Sequence, residues 1–280
     1  MSYFLKRNEQ NLWLGKFSNI PEDIFFHAIS TRIGGVSKNN FEGLNLALHV
    51  GDNEENVLIN RRKFIQSLGY GLEDIVTPNQ VHGDKIFRVE EIHRGRGSKN
   101  YSDAISETDA LITNVPDLPL MLCFADCVPI LFADENGAVG IAHAGWKGTM
   151  KKIAAKTFQA MQENFGTTAG NCFVGIAPSI GKCCYEVGEE VRNACKNNFP
   201  YNPELVEERE GKFFLDLQTA NKIQLLEVGV PEENIDISGD CTCCKSSWYF
   251  SYRAAKKNNF SETGRIAAVI GLRRKGCGGF

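Results

Sequence analysis

Only five histidines occur in 280 residues, and no two of them form a His-x-His pair. A multicopper oxidase needs on the order of ten, mostly paired, to hold its coppers, so that chemistry is excluded. No run approaches the ~20 consecutive apolar residues that span a bilayer. Basic residues are not in surplus: 31 Lys and Arg against 34 Asp and Glu leave a net charge of −3, which argues against a nucleic-acid binder. Gly-x-Gly-x-x-Gly and Walker loops are missing, which disfavours dinucleotide or ATP use. So are the His-Glu-x-x-His of zincins and the His-x-Glu with Pro-Cys-x-x-Cys of zinc nucleobase deaminases. Residues Met1 to Glu9 lack the basic, apolar, small-residue order of a signal peptide. The expectation is a cytoplasmic protein, with no membrane and no nucleic acid as partner and with reduced thiols.

What remains is ordinary for a globular enzyme: 42% hydrophobic and 23% charged residues, in a chain long enough to bury a substantial core. No repeat or linker divides it, so one domain over residues 1–280 is expected, with a frayed Gly-rich tail at 276–280. Short apolar runs predict strands at 25–29, 85–89, 110–113, 119–124, 129–132, 138–142, 172–176, 235–238 and 265–272. Helical spacing predicts helices at 57–68, 187–199 and 216–228. The clearest is a continuous helix over 150–165, where Met150, Ile153, Ala154, Phe158, Met161 and Phe165 recur at steps of three and four before Gly166. Helices are too few, and several strand pairs too close together, for a strict βαβ sheet. The basic clusters Arg61-Arg62-Lys63 and Arg273-Arg274-Lys275 read as surface or helix-end charge. Ten Cys are too sparse for a disulfide scaffold. Two groups stand out, Cys183-Cys184 and Cys241, Cys243, Cys244. Adjacent Cys pairs fit tetrahedral ligation poorly, so these are read as reduced, non-ligating thiols.

Three segments carry the chemistry: Asn79-Gln80-Val81-His82-Gly83, Ala125-Asp126-Cys127-Val128-Pro129 and Ala142-His143-Ala144-Gly145-Trp146. Each offers one metal ligand beside a predicted strand. Two imidazoles and one thiolate match the ligand count of a catalytic zinc with an open fourth position. The gaps of 45 residues from His82 to Cys127 and 16 from Cys127 to His143 require the fold to assemble such a site. Taken singly, a Cys in an apolar run is a small core residue and a His is a hydrogen-bonded one. A cysteine hydrolase, with Cys127 as nucleophile and a His as base, uses the same residue types. The N-terminus of the helix after His143 offers free N–H groups to a phosphate or carboxylate. Asp126 is placed either to orient a ligand or to cap a turn.

The strings TRIGGVS, NQVHG, TDALIT, ADCVPILFAD, GIAHAGWKGT, GIAPSIGKCCYEVG and the late FSYR and TGR, in order from Thr31 to Leu272, resemble the laccase-domain family. Its members are also named purine nucleoside phosphorylases of the YfiH/YlmD type, or peptidoglycan editing factors. The resemblance implies an α+β fold: a single compact domain of mixed β-sheets covered by helices, layered α/β/β/α. It implies a metal, zinc before copper, on His82, Cys127 and His143, which are then also the catalytic residues. It further implies phosphorolysis of purine nucleosides (adenosine, inosine, guanosine, methylthioadenosine) with phosphate, and hydrolytic deamination of adenosine as a companion activity. Arg32 in its Gly-Gly turn is the expected phosphate ligand and Trp146 the expected platform for the purine. Gln80, Asp109 and Arg253 are expected substrate contacts, Asp109 and Arg253 being equally placed for an ion pair. Two alternatives stay open: a cysteine- or metal-dependent hydrolase that edits peptidoglycan precursors, and a non-enzymatic metal-binding partner protein. Oligomeric state is not legible.

Overall fold

The longest apolar runs of the chain become strands whose every residue is buried, as strands enclosed on both faces require. A computed structural model describes residues 3–274; the tail at 276–280 lies outside them. The chain opens with a hairpin of β1 (Tyr3–Arg7) and β2 (Trp13–Phe17), then β3 (Phe25–Ser30) and helix α1 (Glu54–Gln66). Next come β4 (Ile86–Arg88), β5 (Ala110–Thr113), β6 (Leu120–Phe124), β7 (Val128–Asp134) and β8 (Ala138–Ala144). Helices α2 (Trp146–Met150) and α3 (Ile153–Phe165) lead to β9 (Cys172–Ile176), β10 (Glu186–Val187) and α4 (Glu189–Asn198). The remainder is β11 (Val206–Arg209), β12 (Lys212–Leu215), α5 (Leu217–Glu227), β13 (Ile235–Ile237), α6 (Tyr252–Lys257) and β14 (Ile266–Leu272).

Two large sheets result, ordered β1-β2-β3-β14-β6 and β13-β9-β7-β8-β5-β4, with β10-β12-β11 as a small third. The first is antiparallel throughout; the second is mixed, parallel only at its outer pairs β13·β9 and β5·β4. Side chains alternate faces along a strand, and three apolar layers follow. Leu111, Leu131, Val139 and Ile141 of the second sheet meet Ile29, Leu122, Ala268 and Ile270 of the first. On the outer face of the second sheet, Ile112, Ile130, Phe132 and Ala142 pack under Phe158 and Met161 of α3 and Leu225 of α5. Outside the first sheet, Ala28, Met121 and Val269 pack under Phe64 and Ile65 of α1. The fold is a single compact α+β unit layered α/β/β/α, as the resemblance implied.

Several expectations are corrected. The helix predicted over 150–165 is broken: Lys152 takes a left-handed φ of 64°, separating the five-residue α2 from α3. The N-terminus after His143 is therefore that of a five-residue helix, with free N–H groups but a correspondingly small macrodipole. Helix α1 starts earlier than its apolar pattern, because Asn53 caps it by accepting the Asn56 N–H at 3.0 Å. Arg61 is not surface charge. It is buried and donates to the carbonyls of Leu46, Gly97 and Ser98, each at 2.7 Å. Its place one turn after Val57 and one before Phe64 and Ile65 puts it on the core face of α1.

Candidate functional site

The site lies where the two large sheets part. Strand β6 ends in the first sheet and β7 begins in the second, so Ala125–Cys127 must cross between them, and Asp126 takes φ 87° to do so. Pro129 does not break the strand; it pairs with His143 inside β7·β8. His143 shares the face of Val139 and Ile141, which points between the sheets, and its ring lies 5.5 Å from that of Phe124. His82 arrives on the loop before β4 at φ 59°, a left-handed conformation unusual for a residue with a side chain and common at functional positions. His82, Cys127 and His143 meet, their ligand atoms within 4.8 Å of one another.

Asp109 holds this set together. Register pairs Ala110 with Ala142, which sets Asp109 opposite His143. Its carboxylate takes Nδ1 of His143 at 2.8 Å and the backbone N–H groups of His82 (3.0 Å), Gly83 (2.7 Å) and Val81 (3.3 Å). With Nδ1 so engaged, Nε2 is the His143 atom left for a metal. Burial opposes charge on Asp109, but His143 and these N–H groups outweigh it and hold the carboxyl below its usual range. Burial likewise opposes a thiolate at Cys127, yet the charges and hydrogen bonds of His143 and His82 bring it down to about 6. His143 is pushed up to about 9: burial disfavours its cation, and Cys127 and Asp109 more than compensate. Gly145 lets the three approach. A Cβ there would stand 3.1 Å from both Cys127 Sγ and His82 Cδ2.

The set lines a cavity of about 450 Å³. Of the expected substrate contacts, Gln80, Trp146 and Arg253 also line it and Arg32 does not. Arg32 lies over the Phe250 ring and donates to the carbonyls of Glu42 and Ser246, in a separate cavity. Gln80 is fixed by both ends of its amide on the Cys123 backbone, each bond 2.9 Å. Asp109 is fully buried behind the set, so it is a positioning residue. It makes no ion pair with Arg253, whose guanidinium holds the carbonyls of Cys184 and Glu186. Asp126 does not cap its own turn: it accepts from Thr242 Oγ1 and from the Arg253 N–H in the first turn of α6, both at 2.7 Å, and so ties the crossing to those distant segments. Sequence reasoning missed His49, Tyr185, Tyr252 and Arg265 on the cavity wall. The FSYR and TGR strings that carry the resemblance contain two of them, Tyr252 and Arg265.

Two sheets packed face to face, with a His-Cys-His set in the cleft between them, define a laccase-like domain. The chain belongs to the family described as multi-copper polyphenol oxidoreductase laccase, which it matches over residues 26–273. It is 40% identical over 250 residues to purine nucleoside phosphorylase YlmD of Geobacillus stearothermophilus, covering 88% of this chain and 90% of that one. Adenosine deaminase RL5, from an unknown prokaryotic organism, is 36% identical over 230 residues, 81% of this chain and 87% of its own. The crystal structure of the G. stearothermophilus YlmD superposes with a TM-score of 0.90 at 36% identity, over 97% of this chain and all of that one. The multi-copper part of the family description finds no matching donors here. Of the five His, His27 is enclosed against the Phe17 N–H and His93 takes the Glu90 N–H. Two imidazoles and one thiolate, those of His82, His143 and Cys127, are left as a candidate set for one metal ion.

Proposed function

We propose that the chain is a zinc-dependent purine nucleoside phosphorylase that takes a nucleoside and phosphate to the free base and a pentose 1-phosphate. The observation that carries this reading is the convergence of His82, Cys127 and His143 in a cleft that also holds aromatic and guanidinium side chains. Nearly full-length similarity to a phosphorylase supports it. His82, Cys127 and His143 hold the metal, which when bound supplies a Lewis-acid cation at the cleft floor. Asp109 fixes the His143 ring. Trp146, Tyr185 and Tyr252 offer faces to the purine. Arg265, which sets Nη1 on the carbonyls of Thr263 and Gly264, takes the phosphate role expected of Arg32. In the reaction an oxygen of hydrogen phosphate bonds to C1′, the glycosidic C–N bond breaks with its electron pair leaving on the purine, and the purine takes up the proton that the phosphate gives up. A guanidinium beside the phosphate stabilises charge that develops there, and a metal held by His82, Cys127 and His143 would supply Lewis acidity in the same cleft.

Adenosine deamination belongs to the same proposal as a companion activity, as does a cytoplasmic location; no described helix is long and apolar enough to cross a membrane. One observation favours a second reading. A Cys127 thiolate paired with His143 is also the arrangement of a cysteine hydrolase, which would cleave an amide of a cell-wall precursor. Base release from adenosine, measured with and without phosphate on chelated and zinc-restored protein, separates the two. Phosphorolysis requires both phosphate and metal and yields pentose 1-phosphate. Base release indifferent to phosphate, or full activity after chelation, overturns the proposal.

A further inference from the structure

Outside the cleft, four thiols meet. The turn after Ile180 is closed by the N–H groups of Cys184 and Tyr185 on the Gly181 carbonyl, at 2.9 and 3.0 Å, and this swings Cys183 and Cys184 toward Cys244. The Cys244 sulfur lies 3.5 Å from each of theirs. Cys241, in Cys-x-x-Cys spacing with Cys244, completes the set, and the four sulfurs all lie within 4.8 Å of one another. Reading the chain by adjacent pairs passed over that spacing.

Metal–sulfur bonds of ~2.3 Å in a tetrahedron place the sulfurs about 3.8 Å apart, close to the separations here. A disulfide needs about 2.05 Å and joins only two of the four. Multi-iron clusters spread their thiolates over separate irons, which demands wider spacing. The buried Cys241 sulfur also accepts two backbone N–H groups, Gly181 at 3.2 Å and Cys244 at 3.5 Å. Donors aimed at one sulfur favour its thiolate, the form that ligates. We propose that Cys183, Cys184, Cys241 and Cys244 form a second, structural zinc site with all four positions closed.

Its place explains its use. The two loops that carry the cysteines are joined next to it by the Thr242 N–H on the Ser179 carbonyl at 2.9 Å. Beyond it, the carbonyls of Cys184 and Glu186 hold the Arg253 guanidinium at 3.0 and 2.9 Å. Tyr185 and Arg253 both line the cleft. Zinc here clips the loop that carries Cys241 and Cys244 to the loop whose Ile180 and Tyr185 line the cleft.

Elemental analysis tests the site independently of the reaction. The Cys183→Ser/Cys244→Ser double variant should lose one equivalent of zinc relative to wild type, whatever His82, Cys127 and His143 retain, whereas Cys243→Ser should keep the full complement. Should the double variant not fold, cobalt substitution of otherwise intact protein serves. The strong visible absorption of a tetrahedral tetrathiolate should appear and should persist in Cys127→Ala. Zinc content unchanged in a folded double variant, a disulfide among these cysteines by intact mass, or no tetrathiolate cobalt spectrum overturns the proposal.

Discussion

Asp109 shows how much one buried carboxylate can organise. It is the common acceptor for the loop that carries His82 and for the ring of His143, so it sets two ligands from two elements at once. Asp109→Asn replaces one acceptor oxygen by an amide that faces backbone donors. Zinc affinity should fall about 10- to 100-fold, the usual cost of losing such an outer partner. Competition with a chelator of known affinity measures it, and unchanged affinity would refute the positioning role. The two arginines give the complementary test. Arg265→Ala should raise the KM for phosphate at least about tenfold, since a charge-assisted hydrogen bond contributes ~1.5–3 kcal/mol. Arg32→Ala, in its separate cavity, should leave that KM unchanged. Initial rates against phosphate concentration decide between them, and the reverse pattern would restore Arg32 to the phosphate.

At the scale of elements, the junction between β8 and α2 is the tightest point of the site. Gly145→Ala puts a Cβ against Cys127 and His82 at 3.1 Å, closer than ordinary contact, so the ligands must separate. Metal occupancy should drop while the melting temperature moves by only a few degrees, because the sheets and their cores are untouched. Elemental analysis beside a thermal scan checks this; full occupancy in the variant would count against the packing argument. The same elements show what the sequence makes legible. Strands β5 to β9 and β14 are apolar runs because both faces are covered, and they were readable within a residue or two. The β1–β2 hairpin and the β10–β12–β11 sheet were not, since β1, β10 and β11 carry Lys, Arg or Glu on half-exposed strands and β2 and β12 offer apolar runs of only two and three residues. Helix α6 was hidden for a similar reason: only Ala255 of its six residues is buried. The convergence of His82, Cys127 and His143 was legible for Cys127 and His143 from the buried strands β7 and β8 beside them, whereas His82, on the loop before β4, was legible only from its NQVHG string. Arg265 was not, because nothing in the local pattern marks which way an arginine beside a strand will point. Asp109 was flagged as a substrate contact, whereas its partners lie 26 to 34 residues away, brought to it by the β5·β8 register for His143 and by the β4·β5 pairing for the His82 loop.

The whole molecule carries a pH dependence rooted far from the cleft. His27, on β3 in the first sheet, is completely buried, and its Nε2 accepts the Phe17 N–H at 2.8 Å. A proton on Nε2 would turn that acceptor into a donor facing a donor. Burial first, then the charge of Lys16 and to a lesser degree Arg273, with Glu22 opposing them, bring His27 down to about 3. In the unfolded chain the imidazole titrates near its ordinary ~6.5. Between these values the unfolded state binds a proton that the folded state refuses. The stabilisation is therefore fully present above about 6.5 and is lost as pH falls toward 3, at about 1.4 kcal/mol per unit. His27→Gln keeps an oxygen for the Phe17 N–H but cannot titrate. Urea unfolding of wild type and variant at pH 7.5 and pH 5 should show the variant losing about 2 kcal/mol less across that interval. Equal losses in the two proteins would mean that His27 is not the group whose protonation opposes the fold. A larger loss in the variant would mean that the imidazole stabilises the acid form instead.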